Sequence, residues 1–218
     1  MEPYVITIAR GFGSGGKEIA TKLSQRLGIP CFERQLITMA SQISGIDESL
    51  FVATDEKLRG SYLVNTLKKV PYTYRVEPTE RDFVSDANLF HIVAQVIREV
   101  AKIQSCVIIG KCADYLLKDY PNVVSVYIEA PRKDCLASVM EKMLVSEEEA
   151  ARMIRKTDKY RAQYYKYYTG GGIWTNPINY DMTLNSARVG RDRCVDLIEA
   201  YLKMKIGGTY GDNTPALM

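Results

Sequence analysis

Residues 4–9, YVITIA, are an apolar and largely β-branched run, and the chain passes from them straight into glycines: ARGFGSGGKEIATKLSQRLG, residues 9–28. Nothing else in the 218 residues restricts the fold as strongly. A strand of that composition is buried on both faces, so it needs a layer of structure above it and another below. Past the glycines, Ile19, Ala20, Leu23 and Leu27 recur at about one helical turn, and Gly28 and Pro30 then stop the helix. A strand delivered by glycines into a helix N-terminus is a place for an anion. The first N–H groups of the helix have no intrahelical acceptor, and they carry the positive end of its dipole.

The alternation continues along the chain. IPCFE reads as a short strand and residues 35–43 as a helix. Phe83, Ala87, Phe90, Ala94, Ile97 and Ala101 step by four and three, which predicts a long core helix leading into the strand SCVIIG, residues 105–110. VVSVYIEAP, residues 123–131, is a further strand with a helix from about residue 132. Ser146 and Glu149 make an S-x-x-E capping box, opening a long charged helix to about residue 168. TGGG and a turn at Asn176 and Pro177 precede a last strand, YDMTLNS, residues 180–186, and a closing helix over residues 191–203. Strands alternating with helices predict an α/β fold, a parallel sheet covered on both faces. Residues 44–80 mix short apolar clusters with Gly and Pro and read as an inserted lobe; residues 211–218 read as a loose tail on a single domain spanning 1–210.

Charge narrows the function. A net charge of +3 is too small for a nucleic-acid surface, so anion binding has to be local. The five cysteines are odd in number, scattered and without C-x-x-C, which suggests neither a disulfide framework nor a zinc site. Buried thiols, no apolar run near the ~20 residues a bilayer requires, and no signal-like N-terminus lead to the expectation of a cytoplasmic protein without a membrane partner. Oligomeric state is left open.

The glycine stretch satisfies two motifs. Gly11, Gly13 and Gly16 spell G-x-G-x-x-G, the dinucleotide fingerprint, and Glu33 stands about where its ribose-binding acid belongs. Gly11, Gly16 and Lys17 spell G-x-x-x-x-G-K, the phosphate-binding P-loop. Lys17 favours the second, because a dinucleotide fold has no use for a lysine there, whereas a P-loop needs one on the β/γ oxygens. Gly11, Gly13, Ser14, Gly15, Gly16, Lys17 and Glu18 are then the ATP-binding residues. Glu18 stands where the motif has Ser or Thr; as a carboxylate it is a candidate ligand for Mg²⁺, or else a first-turn acid favouring the helix N-terminus.

Phosphoryl transfer also needs positive charge on the migrating group and exclusion of water. In SEEEAARMIRKTDKYRAQYYKYY, Arg152, Arg155, Lys159 and Lys166 fall near one face, and Arg155, Asp158 and Arg161 form R-x-x-D-x-x-R, in which the aspartate can orient both arginines. The helix is either a basic lid or a solvated, salt-bridged helix. Trp174 reads as an apolar anchor at the lid hinge, and His91 as a surface residue.

Taken together, ITIARGFGSGGKEIATKLSQRLG, FERQLI, VIIGKCADYLL, VYIEAPRKD, DKYRAQYYKYYTG and YDMTLNS resemble the cytidylate kinase-like family, relatives of the P-loop nucleoside monophosphate kinases. The resemblance implies a three-layer fold with a five-stranded parallel sheet, a helical acceptor lobe at about 44–80 and a lid at about 145–172. It implies an ATP- and Mg²⁺-dependent phosphotransferase acting on a nucleoside monophosphate or another small phosphate acceptor. Lys17, Arg155 and Arg161 would lie on the transferring phosphate, with Arg152, Asp158 and Lys159 supporting the lid and Glu33, Arg34 and Lys111 near the acceptor. The chain departs from cytidylate kinases at Glu18, at Gly110-Lys111 where they have Gly-Arg, and at ERQ on the acceptor side. A nucleotide sensor that has lost transfer and, on Glu33 alone, a dinucleotide-dependent oxidoreductase are the competing readings.

Overall fold

The computed structural model describes residues 3–45, 47–48 and 86–206. The tail at 211–218, and all but the first few residues of the lobe expected at 44–80, lie outside the described residues. In chain order the elements are β1 (Val5–Arg10), α1 (Gly16–Leu27), β2 (Cys31–Phe32), α2 (Gln35–Ser44), α3 (Asp86–Ile103), β3 (Cys106–Ile109), α4 (Ala113–Leu116), β4 (Val123–Glu129), α5 (Arg132–Met143), α6 (Glu147–Tyr168), a 3₁₀ turn (Pro177–Asn179), β5 (Met182–Asn185), α7 (Ser186–Val189) and α8 (Arg191–Ile206). The long elements fall where hydrophobic periodicity places them, and Ser146 caps α6 as read, its Oγ accepting from the Glu149 N–H.

The five strands are ordered β2-β3-β1-β4-β5 and every pairing is parallel. β1 is central: Val5 pairs with Cys106 on one side and with Val123 on the other. Its side chains alternate between layers, as a strand's must. Val5 faces Leu36, Ile92 and Ile97 of α2 and α3. Ile6 and Ile8 face Ile19 and Leu23 of α1 and Ile198 of α8. These side chains are fully or almost fully buried, each stabilising the fold by roughly 1.5–3 kcal/mol.

This order corrects the dinucleotide reading. The dinucleotide fold has β2 beside β1, which brings the acid at the end of β2 to the ribose. Here β3 lies between them, so Glu33 ends a strand one removed from the glycine loop. The chain reverses direction across the sheet at the carboxyl end of β1, and open α/β sheets bind ligands at such a switch point. No helix of the described residues is long and apolar enough to cross a membrane.

Candidate functional site

The glycine loop leaves β1 at that switch point. Gly13 and Gly15 have φ of 90° and 82°, a left-handed backbone that side chains resist, and Gly15 caps the N-terminus of α1. Ser14 is turned inward and locks the turn. Its Oγ donates to the Gly11 carbonyl at 2.9 Å, while its own carbonyl accepts from Ser186 Oγ at 2.5 Å.

Helix α6, the expected lid, lies directly on this loop. Asp158 Oδ1 accepts the Phe12 N–H at 2.8 Å. Arg161 Nη1 donates to the Arg10 carbonyl at 2.9 Å and stands 3.4 Å from Asp158, with its guanidinium 5.7 Å from the Phe12 ring centre. Ala150, Ile154 and Tyr165 are the buried residues of α6, and Asp158 and Arg161 continue their stripe at helical spacing. Arg152, Arg155, Lys159 and Lys166 are exposed, and Arg152 pairs with Glu149 on its own helix. The R-x-x-D-x-x-R series is thus split: Asp158 holds Arg161 and makes no ion pair with Arg155 among the described residues. Steps of three rotate the side chain by about 60° per repeat, so the two arginines diverge, and the solvated-helix reading holds for the outer face.

Beneath α6 is a cavity of about 910 Å³. Six basic side chains line it (Arg10, Lys17, Arg34, Lys111, Lys142 and Arg161) against three acidic ones, Glu18, Glu33 and Asp114. Glu33 bridges two of the cations, with Arg10 Nη2 at 2.6 Å and Lys17 Nζ at 2.9 Å. Burial alone would raise the Glu33 pKa, but Arg10 and Lys17 hold it below the usual carboxylate range. Burial, then the neighbouring Arg161, pushes Arg10 down to about 10. Burial likewise lowers Arg161 and Lys111, the latter also through Arg10. Lys111 and Cys112 take left-handed φ of 60° and 54° directly after Gly110, strain of the kind that clusters at functional sites. Asp114 is 5 % exposed, and burial raises it to about 6; one of its oxygens has no hydrogen-bond partner among the described residues. With Tyr165 it stands between this cavity and a second one of about 330 Å³.

Of the residues singled out in the sequence, the loop glycines 11, 13, 15 and 16, Lys17, Glu18, Glu33, Arg34, Lys111 and Arg161 share the cavity, whereas Arg152, Arg155 and Lys159 do not line it. Ser14 and Asp158 build the loop from outside. Glu18 is taken up elsewhere: Arg191 Nη1 and Lys142 Nζ lie 2.5 and 2.9 Å from its Oε2, and Lys22 lies 3.4 Å from Oε1. A carboxylate shared among three cations does not suit a divalent metal ion. Among the described residues no group of three or more His, Cys, Asp or Glu is placed to hold one. Trp174 is the buried anchor expected, edge-on to Tyr127, and His91 does not line the cavity. Sequence reading missed Arg10. Its signal is position, a basic residue at the carboxyl end of a buried parallel strand that aims into the switch-point crevice.

A glycine loop at the switch point of a 2-3-1-4-5 parallel sheet, with a basic helix laid over it, defines a kinase-like protein of the P-loop type. The chain belongs to the cytidylate kinase-like family, whose model matches residues 5–188. Among solved structures, it is similar to an uncharacterized protein from Eubacterium ventriosum, at 26% identity and a TM-score of 0.67, covering 92% of this chain and 98% of that one. A gluconokinase from Sinorhizobium meliloti shares the fold, at 10% identity and a TM-score of 0.51, over 95% of this chain and 98% of that one. No curated protein matches the chain in sequence.

Proposed function

We propose that the protein transfers the γ-phosphoryl group of ATP to a small acceptor, a nucleoside monophosphate or a compound of similar size. One observation carries this reading: Arg10, Arg161 and Lys111 converge, partly or largely buried, on one cavity, and among the described residues only Glu33 pairs with a member of this trio from the cavity wall, Asp158 pairing with Arg161 from outside it. Buried cations without matching counter-charge are costly, and a polyanion entering the cavity would relieve that cost. The volume, about 910 Å³, is near the top of the ~300–1,000 Å³ usual for ligand clefts and accommodates a donor and an acceptor together.

The chemistry asked of the chain is positioning and charge. Loop N–H groups and the helix dipole hold the donor phosphates. Arg161, delivered by the lid, meets charge that develops on the equatorial oxygens as the bond to the leaving group loosens. The lid excludes water that would otherwise hydrolyse ATP. Lys111 and Arg34 line the side of the cavity toward β3 and α2 and receive the acceptor. Glu18 stays with its three cations, so a magnesium ion brought by ATP would be held by the phosphates rather than by this carboxylate.

The test is ADP formation from ATP across a panel of nucleoside monophosphates and small hydroxylated acids, with ATP affinity measured in parallel by calorimetry. ADP formation dependent on one acceptor is expected. Tight ATP binding with no ADP from any acceptor would instead favour a sensor, a reading supported by the hold of Glu33 on Lys17.

A further inference from the structure

Two glycines make room for one side chain. Arg10 leaves the end of β1 and runs across Gly16, where a Cβ would stand 2.5 Å from Arg10 Cβ and 3.0 Å from its Cγ. Farther out, Arg10 Nη1 fills the space that a side chain at Gly110 would need. The guanidinium is thereby fixed in the wall of the cavity, and the side chain is 15% exposed. Lys17 is the opposite case: its side chain is 74% exposed and only its amine reaches inward, to Glu33.

The start of α1 explains the exchange. The helix begins at Gly16, and the left-handed glycine that caps it is Gly15. Counted back from Gly15, the first glycine of G-x-x-x-x-G-K falls on Arg10 and its lysine falls on Gly16. The small residue and the cation have traded places, so the charge enters from the strand and crosses a glycine on the helix.

We propose that Arg10 is the fixed cation for the phosphates of a nucleotide on this loop, and that Glu33 holds its guanidinium in place until phosphate oxygens take over. The inference rests on the phosphotransfer reading only in requiring that a nucleoside polyphosphate binds here. A guanidinium has five N–H donors and suits bidentate contact with phosphate. Among the described residues the only carboxylate bonded to Arg10 is Glu33, through Nη2. Arg161 approaches from the lid with like charge and donates to the Arg10 carbonyl rather than opposing it with an anion. A phosphate oxygen on Arg10 supplies the counter-charge that Arg161 does not. Lys17 then serves at the rim, releasing Glu33 as the phosphates arrive.

Calorimetric titration of ATP and of inorganic tripolyphosphate tests this on wild type, Lys17→Ala, Arg10→Met, Arg10→Gly, Arg10→Gly/Gly16→Lys and Arg10→Met/Glu33→Gln. The methionine keeps an unbranched stem and loses the charge. The double variant clears the stem from residue 16 and returns the cation from the helix side. Arg10→Met is expected to weaken both ligands by about 10²-fold and Lys17→Ala by less than about 10-fold, on the scale of losing a charge-assisted pair. The double variant is expected to bind at least 10-fold more tightly than Arg10→Gly alone. Arg10→Met/Glu33→Gln, which removes both charges together, guards against a folding artefact: affinity that stays lost at unchanged thermal unfolding supports the assignment, and affinity that returns overturns it. Equal or greater loss in Lys17→Ala, or no gain in the double variant, also overturns it. Wild type binding neither ligand would sink the phosphotransfer reading itself, a result distinct from wild-type binding that depends on Lys17.

Discussion

Two glutamates flank the N-terminus of α1, each gathering cations, and they do opposite things. Glu18 lines the cavity too but pairs with Arg191, Lys142 and Lys22, whose side chains are 32%, 48% and 40% exposed. Glu33 faces inward to Arg10, 15% exposed, and to Lys17. Around Glu18 the charges are solvated and tie α1 to α5 and α8. Around Glu33, Lys17 is exposed at 74%, but Arg10 is largely buried, with Arg161 and Lys111 close enough to depress it or be depressed by it, and these inner cations outnumber the carboxylates paired with them. The number of ion pairs does not separate scaffold from site. What separates them is whether desolvated charge is left over once the pairs are counted, because water and salt cancel such an excess at the surface and cannot do so inside.

The sharpest way to break this contrast is to remove an inner cation from α6. Arg161→Ala is expected to lower turnover by about 10²–10³-fold, the scale of losing one preorganised donor to transition-state charge, with little change in ATP affinity. Arg155→Ala on the outer face should stay within about threefold. Steady-state ADP release and calorimetry together check both, and ATP affinity falling as far as kcat would make Arg161 a ground-state contact instead.

Glu33→Gln comes next. It strands Arg10 in the cavity wall, and the free protein is expected to lose roughly 1–3 kcal/mol, less than for a fully buried pair because a quarter of Glu33 is exposed. ATP should recover most of that loss, so the ATP-induced rise in Tm should be larger in the variant than in wild type. The folded-state pKa of Glu33 is depressed, so its contribution is present above the unfolded value and is lost as pH falls through the folded one. Wild type and Glu33→Gln should accordingly converge in stability as pH falls below the ordinary glutamate value and on through the lowered folded one.

The smallest effect belongs to Glu18→Ser. An exposed cluster contributes up to about 1 kcal/mol, so Tm should move by a few degrees at most and ATP affinity by only a few-fold. Titrating Mg²⁺ against activity decides the point: an unchanged Mg²⁺ requirement keeps Glu18 in the scaffold, whereas a requirement that shifts with the substitution would make it a metal ligand and collapse the distinction between the two glutamates.

Much of this was legible in the residues. The strand-loop-helix unit at residues 4–28, the alternation that follows it and the S-x-x-E start of α6 gave the layers and the phosphate loop, because periodicity and capping are local. Four-residue elements such as α4 and α7 have no period to detect. Strand order depends on pairing across the sheet, and only that order separates Glu33 from a ribose contact. Charge spacing could not tell which side of α6 turns inward; the stripe through Ala150, Ile154 and Tyr165 decides it and carries Asp158 and Arg161 with it. Arg10 was hidden because the motif counts equally well from Gly11, and only the start of α1 at Gly16 sets the frame.

The hydrogen bond from the Phe12 N–H to Asp158 has a thermodynamic corollary. That amide belongs to the glycine loop and its acceptor to α6, so a ligand oxygen that claims the amide must first evict the carboxylate. Loop occupancy and the position of α6 are therefore linked functions: whatever factor a bound phosphate places on the release of α6, displacement of α6 places on phosphate affinity. Asp158→Asn, by weakening the acceptor, should shrink that factor from both directions at once.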